Sequence, residues 1–188
     1  MDPLAWLGLK PKRDEHPRLS AITQEVRRLL PDDEPVVVRY IVIVAVFLTK
    51  VAHSDGLLMQ CELDHLARLF RHIDRMPPDG IDGLCRVLND KVPELDEEEE
   101  ALCLRELKAL CDADERLQIM RLLASQATSD GHIVASEHGT LMEIARALDV
   151  PETEIEHIEI EAMAADRPPL SQSESPPSRQ SNTHDEPK

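Results

Sequence analysis

Aromatic residues and glycine are both scarce in this sequence, and both scarcities argue against a β-rich fold. Phe, Trp and Tyr make up 2% of the 188 residues, and there are six glycines. Strands normally draw on aromatic side chains, and the tight turns of an all-β domain need glycine. The apolar content of 41% is therefore almost entirely aliphatic, which favours packed helices. We expect an all-α protein.

Positive charge is also in short supply. The sequence has 21 Lys and Arg against 37 Asp and Glu, a formal net charge of −16. A surface of this sign is repelled by phosphate backbones and by anionic membrane surfaces. We therefore expect no binding to nucleic acid, and we expect that any partner is a cation or a protein.

The four cysteines, Cys61, Cys85, Cys103 and Cys111, have no CxxC spacing. Each lies within an apolar pattern of helical period, where a free cysteine behaves as a small hydrophobic residue. The N-terminus does not have the pattern of a signal peptide. These features favour free thiols in a reducing cytoplasm over a fold held together by disulfide bonds.

The longest apolar run, residues 36–52, is interrupted by Arg39 and Lys50. Its uninterrupted part is about ten residues, whereas a membrane-spanning helix needs about 20. The β-branched residues in the run would also suit a buried strand. Its alignment with a clearer helix later in the chain favours a buried core helix, so no membrane span is expected.

Changes in composition divide the chain into three parts. Residues 1–16 are polar and contain proline, apart from an apolar cluster that we expect to dock on the body or to hold a partner: Leu4, Trp6, Leu7 and Leu9. Residues 17–165 are predicted to form one helical domain of about seven or eight helices. Residues 166–188 are rich in proline and serine and are predicted to be disordered.

Shorter patterns indicate further elements within the domain. Apolar spacing predicts helices at residues 18–30 and 81–88. A turn is predicted at residues 76–80, between the first repeated unit and the helix at residues 81–88. The four consecutive glutamates, residues 97–100, are predicted to form the solvated first turn of a helix, where the macrodipole favours negative charge.

One motif occurs twice, 75 residues apart and without gaps. The residues Ala52, Ser54, Asp55, Gly56, Glu62, Leu66 and Arg71 recur as Ala127, Ser129, Asp130, Gly131, Glu137, Leu141 and Arg146. This self-similarity predicts two copies of one unit, at about residues 36–73 and 113–148. In each copy an apolar helix ends at Ser-Asp-Gly, where glycine supplies the left-handed conformation, and a second amphipathic helix follows.

Glu62 and Glu137 border the buried face of the second helix in each unit, because each lies four residues before an inward leucine. A carboxylate in that position needs a partner. Three partners are compatible with the sequence: the open N–H groups at the helix start, a basic side chain such as Arg71 or Arg146, or a divalent cation held by oxygen ligands.

Comparison with a capping box and with an EF-hand loop weakens two of these three partners without excluding either. A full capping box has Ser or Thr three residues before the glutamate, but Met59 and Val134 stand there. The spacing from Asp-Gly to Glu matches the second half of an EF-hand loop. The first half lacks its acidic ligands in both copies, at Val51, His53, Gln126 and Thr128. A degenerate calcium-responsive loop is kept as an alternative.

Catalytic patterns are missing from the sequence. It has no glycine-rich phosphate loop, no zinc spacing of histidines and no local pattern around a nucleophile. Glu62 and His65 have the spacing of a di-iron ligand pair, but Thr140 replaces the histidine in the second copy. We expect a non-enzymatic protein and keep a cryptic metal-dependent enzyme as an alternative.

The repeated Ala-x-Ser-Asp-Gly-x-Ile/Leu-x-x-x-Glu, placed between an apolar helix and a leucine-periodic one, resembles the tellurite-resistance TerB family, including the N-terminal domain of the DjlA co-chaperones. The resemblance covers about residues 36–160. It implies a single all-α bundle with a pseudo-two-fold internal repeat. It also implies a stress-response binding or scaffold role, and divalent-metal sites at the paired acidic residues Asp55, Glu62, Asp130 and Glu137. The chain has no J-domain His-Pro-Asp signature, so co-chaperone activity is not implied.

Overall fold

The computed structural model describes residues 16–56 and 59–165, and these residues form eight α-helices, one 3₁₀ helix and no strand. The α-helices are α1 (Pro17–Leu29), α2 (Pro35–Ala52), α3 (Gln60–Phe70), α4 (Pro78–Lys91), α5 (Glu97–Leu110), α6 (Ala113–Ala127), α7 (Ala135–Ala147) and α8 (Glu152–Ala165), and the 3₁₀ helix is Val92–Glu94. The prediction of an all-α bundle is confirmed. The predicted tail and almost all of the predicted N-terminal segment lie outside the described residues.

Helix α2 is the centre of the bundle. Twelve of its 18 residues are buried, and it contacts α1 and every helix from α3 to α7. By length and hydropathy α2 is the one described helix that could cross a membrane, but 67% of it is buried inside the fold. The apolar run is therefore the buried core helix that the sequence favours, and the strand alternative is wrong.

Helix α4 begins earlier than the sequence predicts, since Asp79 and Gly80 of the expected turn already belong to it. Pro78 is the first helical residue, a position where proline is favourable because its missing N–H would have no partner there. Gly80 packs directly on α1: a Cβ at this position would lie 2.0 Å from Cδ2 of Leu29. The missing side chain therefore allows α1 and α4 to approach closely.

The acidic run forms the first turn of α5, as predicted, but it is not wholly solvated. Glu99 is fully buried, and its Oε2 accepts from the backbone N–H of Asp96 at 3.3 Å and lies 3.2 Å from Nη1 of Arg18. Asp96 caps the helix by accepting from the N–H of Glu99 at 2.9 Å. The run thus contains a capping box that also anchors α1, and the expectation of solvation fails at Glu99.

The cysteines are all free, and three of them are buried: Cys85, Cys103 and Cys111. Burial raises the pKa of Cys85 to about 11 and that of Cys103 to about 12. These thiols therefore stay protonated near neutral pH and serve as apolar packing groups, as the helical pattern predicts.

Candidate functional site

Each copy of the repeated motif forms a corner between two helices. The first corner lies between the end of α2 at Ala52 and the start of α3 at Gln60, and the second lies between Ala127 of α6 and Ala135 of α7. Both the helix end and the helix start are thus 75 residues apart in the two corners, which is the offset of the sequence repeat. Residues 57–58 of the first corner lie outside the described residues.

Each corner turns at its glycine, which has a left-handed backbone with φ of +86° at Gly56 and +98° at Gly131. The N–H of Gly56 donates to the carbonyl of His53 at 2.9 Å, and that of Gly131 donates to Thr128 at 2.8 Å. The apolar helices end before the Ser-Asp-Gly sequence rather than at it. The glycine therefore closes a separate turn after the helix, which corrects the expected helix end.

The two glutamates accept hydrogen bonds from the backbone at the start of the next helix. Glu62 Oε2 accepts from the N–H of Met59 at 2.6 Å, and Glu137 Oε2 accepts from the N–H of Val134 at 2.9 Å. Both glutamates are buried, with 8% and 6% of their surface exposed. Capping occurs without Ser or Thr, because only the glutamate half of the capping box is needed to satisfy this N–H.

The arginine proposed as a partner for Glu137 lies elsewhere. Nε of Arg146 donates to Oε1 of Glu152, the first residue of α8, at 3.0 Å. Of the three partners that the sequence left open, the backbone is therefore the one seen at both glutamates.

The folded chain brings the four carboxylates of the two corners within electrostatic range of one another. Burial raises the pKa of Glu137 to about 7, and repulsion by Asp130, Glu62 and Asp55 adds to the rise. Burial likewise raises the pKa of Glu62, again with contributions from Asp55 and Asp130. Asp55, Glu62 and Asp130 thus all add to the raised pKa of Glu137, which favours its protonated form.

These carboxylates are not gathered into a finished metal site. Among the described residues, no three His, Cys, Asp or Glu side chains lie close enough together to hold one ion. Asp130 instead interacts with its neighbour His132: Oδ1 accepts from the His132 N–H at 3.2 Å, and Oδ2 lies 3.4 Å from Nε2. The two aspartates are on exposed turn residues.

The fold and these corners agree with a comparison against known families. A family model described as tellurite resistance protein TerB matches residues 42–160, which include both corners. This chain belongs to the TerB family. No curated protein and no solved structure matches it. Helix α1 precedes the matched region and packs on α2 and α4.

In this TerB-family protein one further residue links the two corners, and the sequence patterns did not predict it. Gln126, on the last turn of α6, is fully buried, and its Nε2 donates to the backbone carbonyl of Glu62 at 3.2 Å. The equivalent residue of the first copy is Val51, so a search for repeated residues passes over it. The sequence feature that could have indicated its role is a single amide side chain on the buried face of a helix, where it needs a hydrogen-bond partner.

Two serine hydroxyls at equivalent positions add oxygen atoms to the corners. Oγ of Ser54 and Oγ of Ser129 are both buried, and neither has a hydrogen-bond partner among the described residues. Each directly precedes the aspartate of its corner. The two corners therefore contain carboxylate and hydroxyl oxygens from both copies of the motif.

Proposed function

We propose that this TerB-family protein is a non-enzymatic binding or scaffold module that takes up a divalent cation where its two corners meet. One observation carries the proposal: the equivalent glutamates of the two corners, Glu62 and Glu137, are both buried, and the aspartates Asp55 and Asp130 add to the raised pKa of each. A cation held between them would relieve that repulsion and offset the cost of burying the charge.

The donor chemistry supports a hard cation. Asp55, Asp130 and the second oxygens of Glu62 and Glu137 are carboxylate ligands, which suit Mg²⁺, Ca²⁺ or Mn²⁺ better than soft metals. Each glutamate keeps one oxygen on a helix-start N–H, which orients the carboxylate. Since the side chains are not gathered as they stand, binding requires the two aspartates to turn inward.

A cation in this position would act on the fold as well as on the local charges. The corners join α2 to α3 and α6 to α7, so ligands from both corners would tie four helices together. Two exposed apolar residues stand at the starts of α3 and α7, Met59 with 54% and Val134 with 37% of its surface accessible. Apolar groups beside a charged site support a protein as the partner. A stress-response role in the cytoplasm is proposed from the family alone.

Thermal melts in the presence of Mg²⁺, Ca²⁺, Mn²⁺ or Zn²⁺ test the proposal. A ligand that binds only the folded state stabilises it by about 2.7 kcal/mol at 100 times its dissociation constant, so the preferred ion should raise Tm by several degrees. Asp130→Asn and Glu137→Gln should lose this rise. The exposed Glu156 of α8 provides a matched control, since Glu156→Gln removes one charge away from the corners and should retain it.

The ion series also separates the alternatives. A response to calcium alone would favour a degenerate calcium-responsive loop. The proposal is wrong if no ion raises Tm, or if Glu137→Gln and Asp130→Asn both keep the full rise of the unmodified protein.

A further inference from the structure

Helices α2, α3 and α6, together with residues 72–73 after α3, line an apolar groove. Its principal lining residues are Tyr40, Val44, Leu48, Phe70, Ile73 and Leu122, and its cavity measures about 180 Å³. Most of the residues that line this groove are apolar, and His72 completes the lining. A cavity of about 150 Å³ lined by such residues is large enough to bind a benzene ring, so the groove has room for one aromatic side chain.

Exposed apolar residues extend the groove along the first turns of α2. Val36, Val37 and Tyr40 have 48%, 40% and 37% of their surfaces exposed. Scattered apolar residues on a protein surface need no explanation, but a continuous patch beside an apolar cavity indicates a binding surface. This surface, from Val36 to Leu122, lies apart from the carboxylate corners.

The chain contains a segment with the composition that such a surface binds. Residues 4–9 read Leu-Ala-Trp-Leu-Gly-Leu and include the single tryptophan of the protein. Buried aromatic side chains contribute the largest areas in such contacts. The bulky side chains of this segment therefore match the groove in chemistry and in size.

The length of the segment and the place where it joins the fold allow it to reach the groove. The described structure starts at His16, which lines one cavity together with Arg39 of α2. The next residue of α2, Tyr40, borders the groove itself. Trp6 is ten residues before His16, and ten extended residues span about 33 Å, comparable to the width of a small domain.

The charges on the two sides are complementary. Lys10, Lys12 and Arg13 follow the apolar segment, and three acidic residues, 32–34, directly precede α2. Burial raises the pKa of Tyr40, and the nearby Cys111 and Glu115 add to the rise. Exposed charges of this kind add little affinity, but they favour one direction of binding.

We propose that residues 4–9 bind the groove formed by α2, α3 and α6 in the same chain, with the Trp6 indole in the apolar cavity. This interaction is independent of the cation proposed for the corners.

Tryptophan fluorescence tests the proposal without a label, because Trp6 is the only tryptophan. In the full-length protein its emission should be blue-shifted relative to the chain in urea, and quenching by acrylamide should be severalfold weaker. Tyr40→Glu places a charge at the rim of the groove and should return both values towards those of the unfolded chain. The control is Ile160→Glu, which changes an exposed apolar residue on α8 and should leave both values unchanged.

Two further measurements separate the effect from unfolding of the variant. Circular dichroism melts show whether Tyr40→Glu is still folded. Trp6→Ala, which leaves the groove residues unchanged, should shift the methyl NMR resonances of Val44, Leu48 and Leu122 relative to the unmodified protein. Emission equal to that of the unfolded chain, or no shift in those methyl groups, would overturn the proposal. A blue shift that disappears on dilution would assign the segment to the groove of a second copy instead.

Discussion

The side-chain amide of Gln126 donates to the backbone carbonyl of Glu62 at 3.2 Å, so a buried residue of α6 holds the start of α3 in place. The two residues are 64 positions apart, and each belongs to a different copy of the repeated motif. This bond is a direct polar link between the two corners.

Gln126→Leu tests whether this link matters to the site. Leucine keeps most of the side-chain volume but cannot donate, so the free energy of unfolding should fall by about 1 kcal/mol, the usual net value of a hydrogen bond. If the corners form one site, the rise in Tm caused by the preferred cation should also decrease. Urea unfolding with and without the cation measures both quantities, and an unchanged cation effect would contradict a shared site.

Glu137 should make the cation-free protein less stable as pH rises. Its folded pKa of about 7 lies above its ordinary value of 4.5. Relative to a neutral side chain, the carboxyl group therefore costs nothing below pH 4.5, becomes increasingly destabilising as pH rises from 4.5 to about 7, and has its full cost above that pH. Glutamine can still accept from the Val134 N–H but does not ionise. Glu137→Gln should thus gain stability over the unmodified protein between pH 5 and pH 8.

Urea unfolding at several pH values, without divalent cations, measures this difference. Glu156→Gln serves as the reference, since its carboxylate is exposed on α8. A gain for Glu137→Gln that is the same at pH 5 and pH 8 would mean that Glu137 is not buried as described.

Gly131→Ala should destabilise the second corner through its backbone alone. The residue has φ of +98°, a conformation that costs an L-residue about 1–3 kcal/mol, and an added Cβ would contact nothing within 4 Å. Gly139→Ala is the matched control, because Gly139 lies inside α7 and also has open space around it. That change should stabilise the protein by about 0.5–1 kcal/mol. Chemical denaturation of the two variants should therefore give effects of opposite sign.

Gly80→Ala should destabilise the packing of α1 against α4 for a steric reason. The new Cβ would lie 2.0 Å from Cδ2 of Leu29, which is itself 4% exposed and cannot move into solvent. Overpacking of this kind costs about 1–3 kcal/mol. Gly83→Ala, one turn later on α4, meets only the ends of two long side chains, the Glu25 carboxylate at 3.2 Å and Nη2 of Arg28 at 3.9 Å. Thermal melts should show a clearly smaller loss for this control, and equal losses would exclude the steric explanation.

Local patterns predicted most of the helices because their signals lie within a few residues. The apolar run 36–52 predicted α2, and the Leu and Ile spacing predicted α1, α3 and α7. The turn at residues 76–80 was partly wrong because proline starts a helix as readily as it ends one, and the neighbouring α1 selected the helical form. The pseudo-two-fold relation of the two halves stays a prediction, although the two corners agree in their glycine conformation and in their glutamate hydrogen bonds.

The sequence by itself determined the all-α class, the central helix and the four carboxylates of the corners, because residue spacing and the repeat at an offset of 75 report on local structure. Only the tertiary structure decided that Asp55, Glu62, Asp130 and Glu137 act on one another, that Gln126 links their corners and that Glu99 is buried. Charge coupling and burial depend on which distant helices pack together, and no short stretch of sequence contains that information.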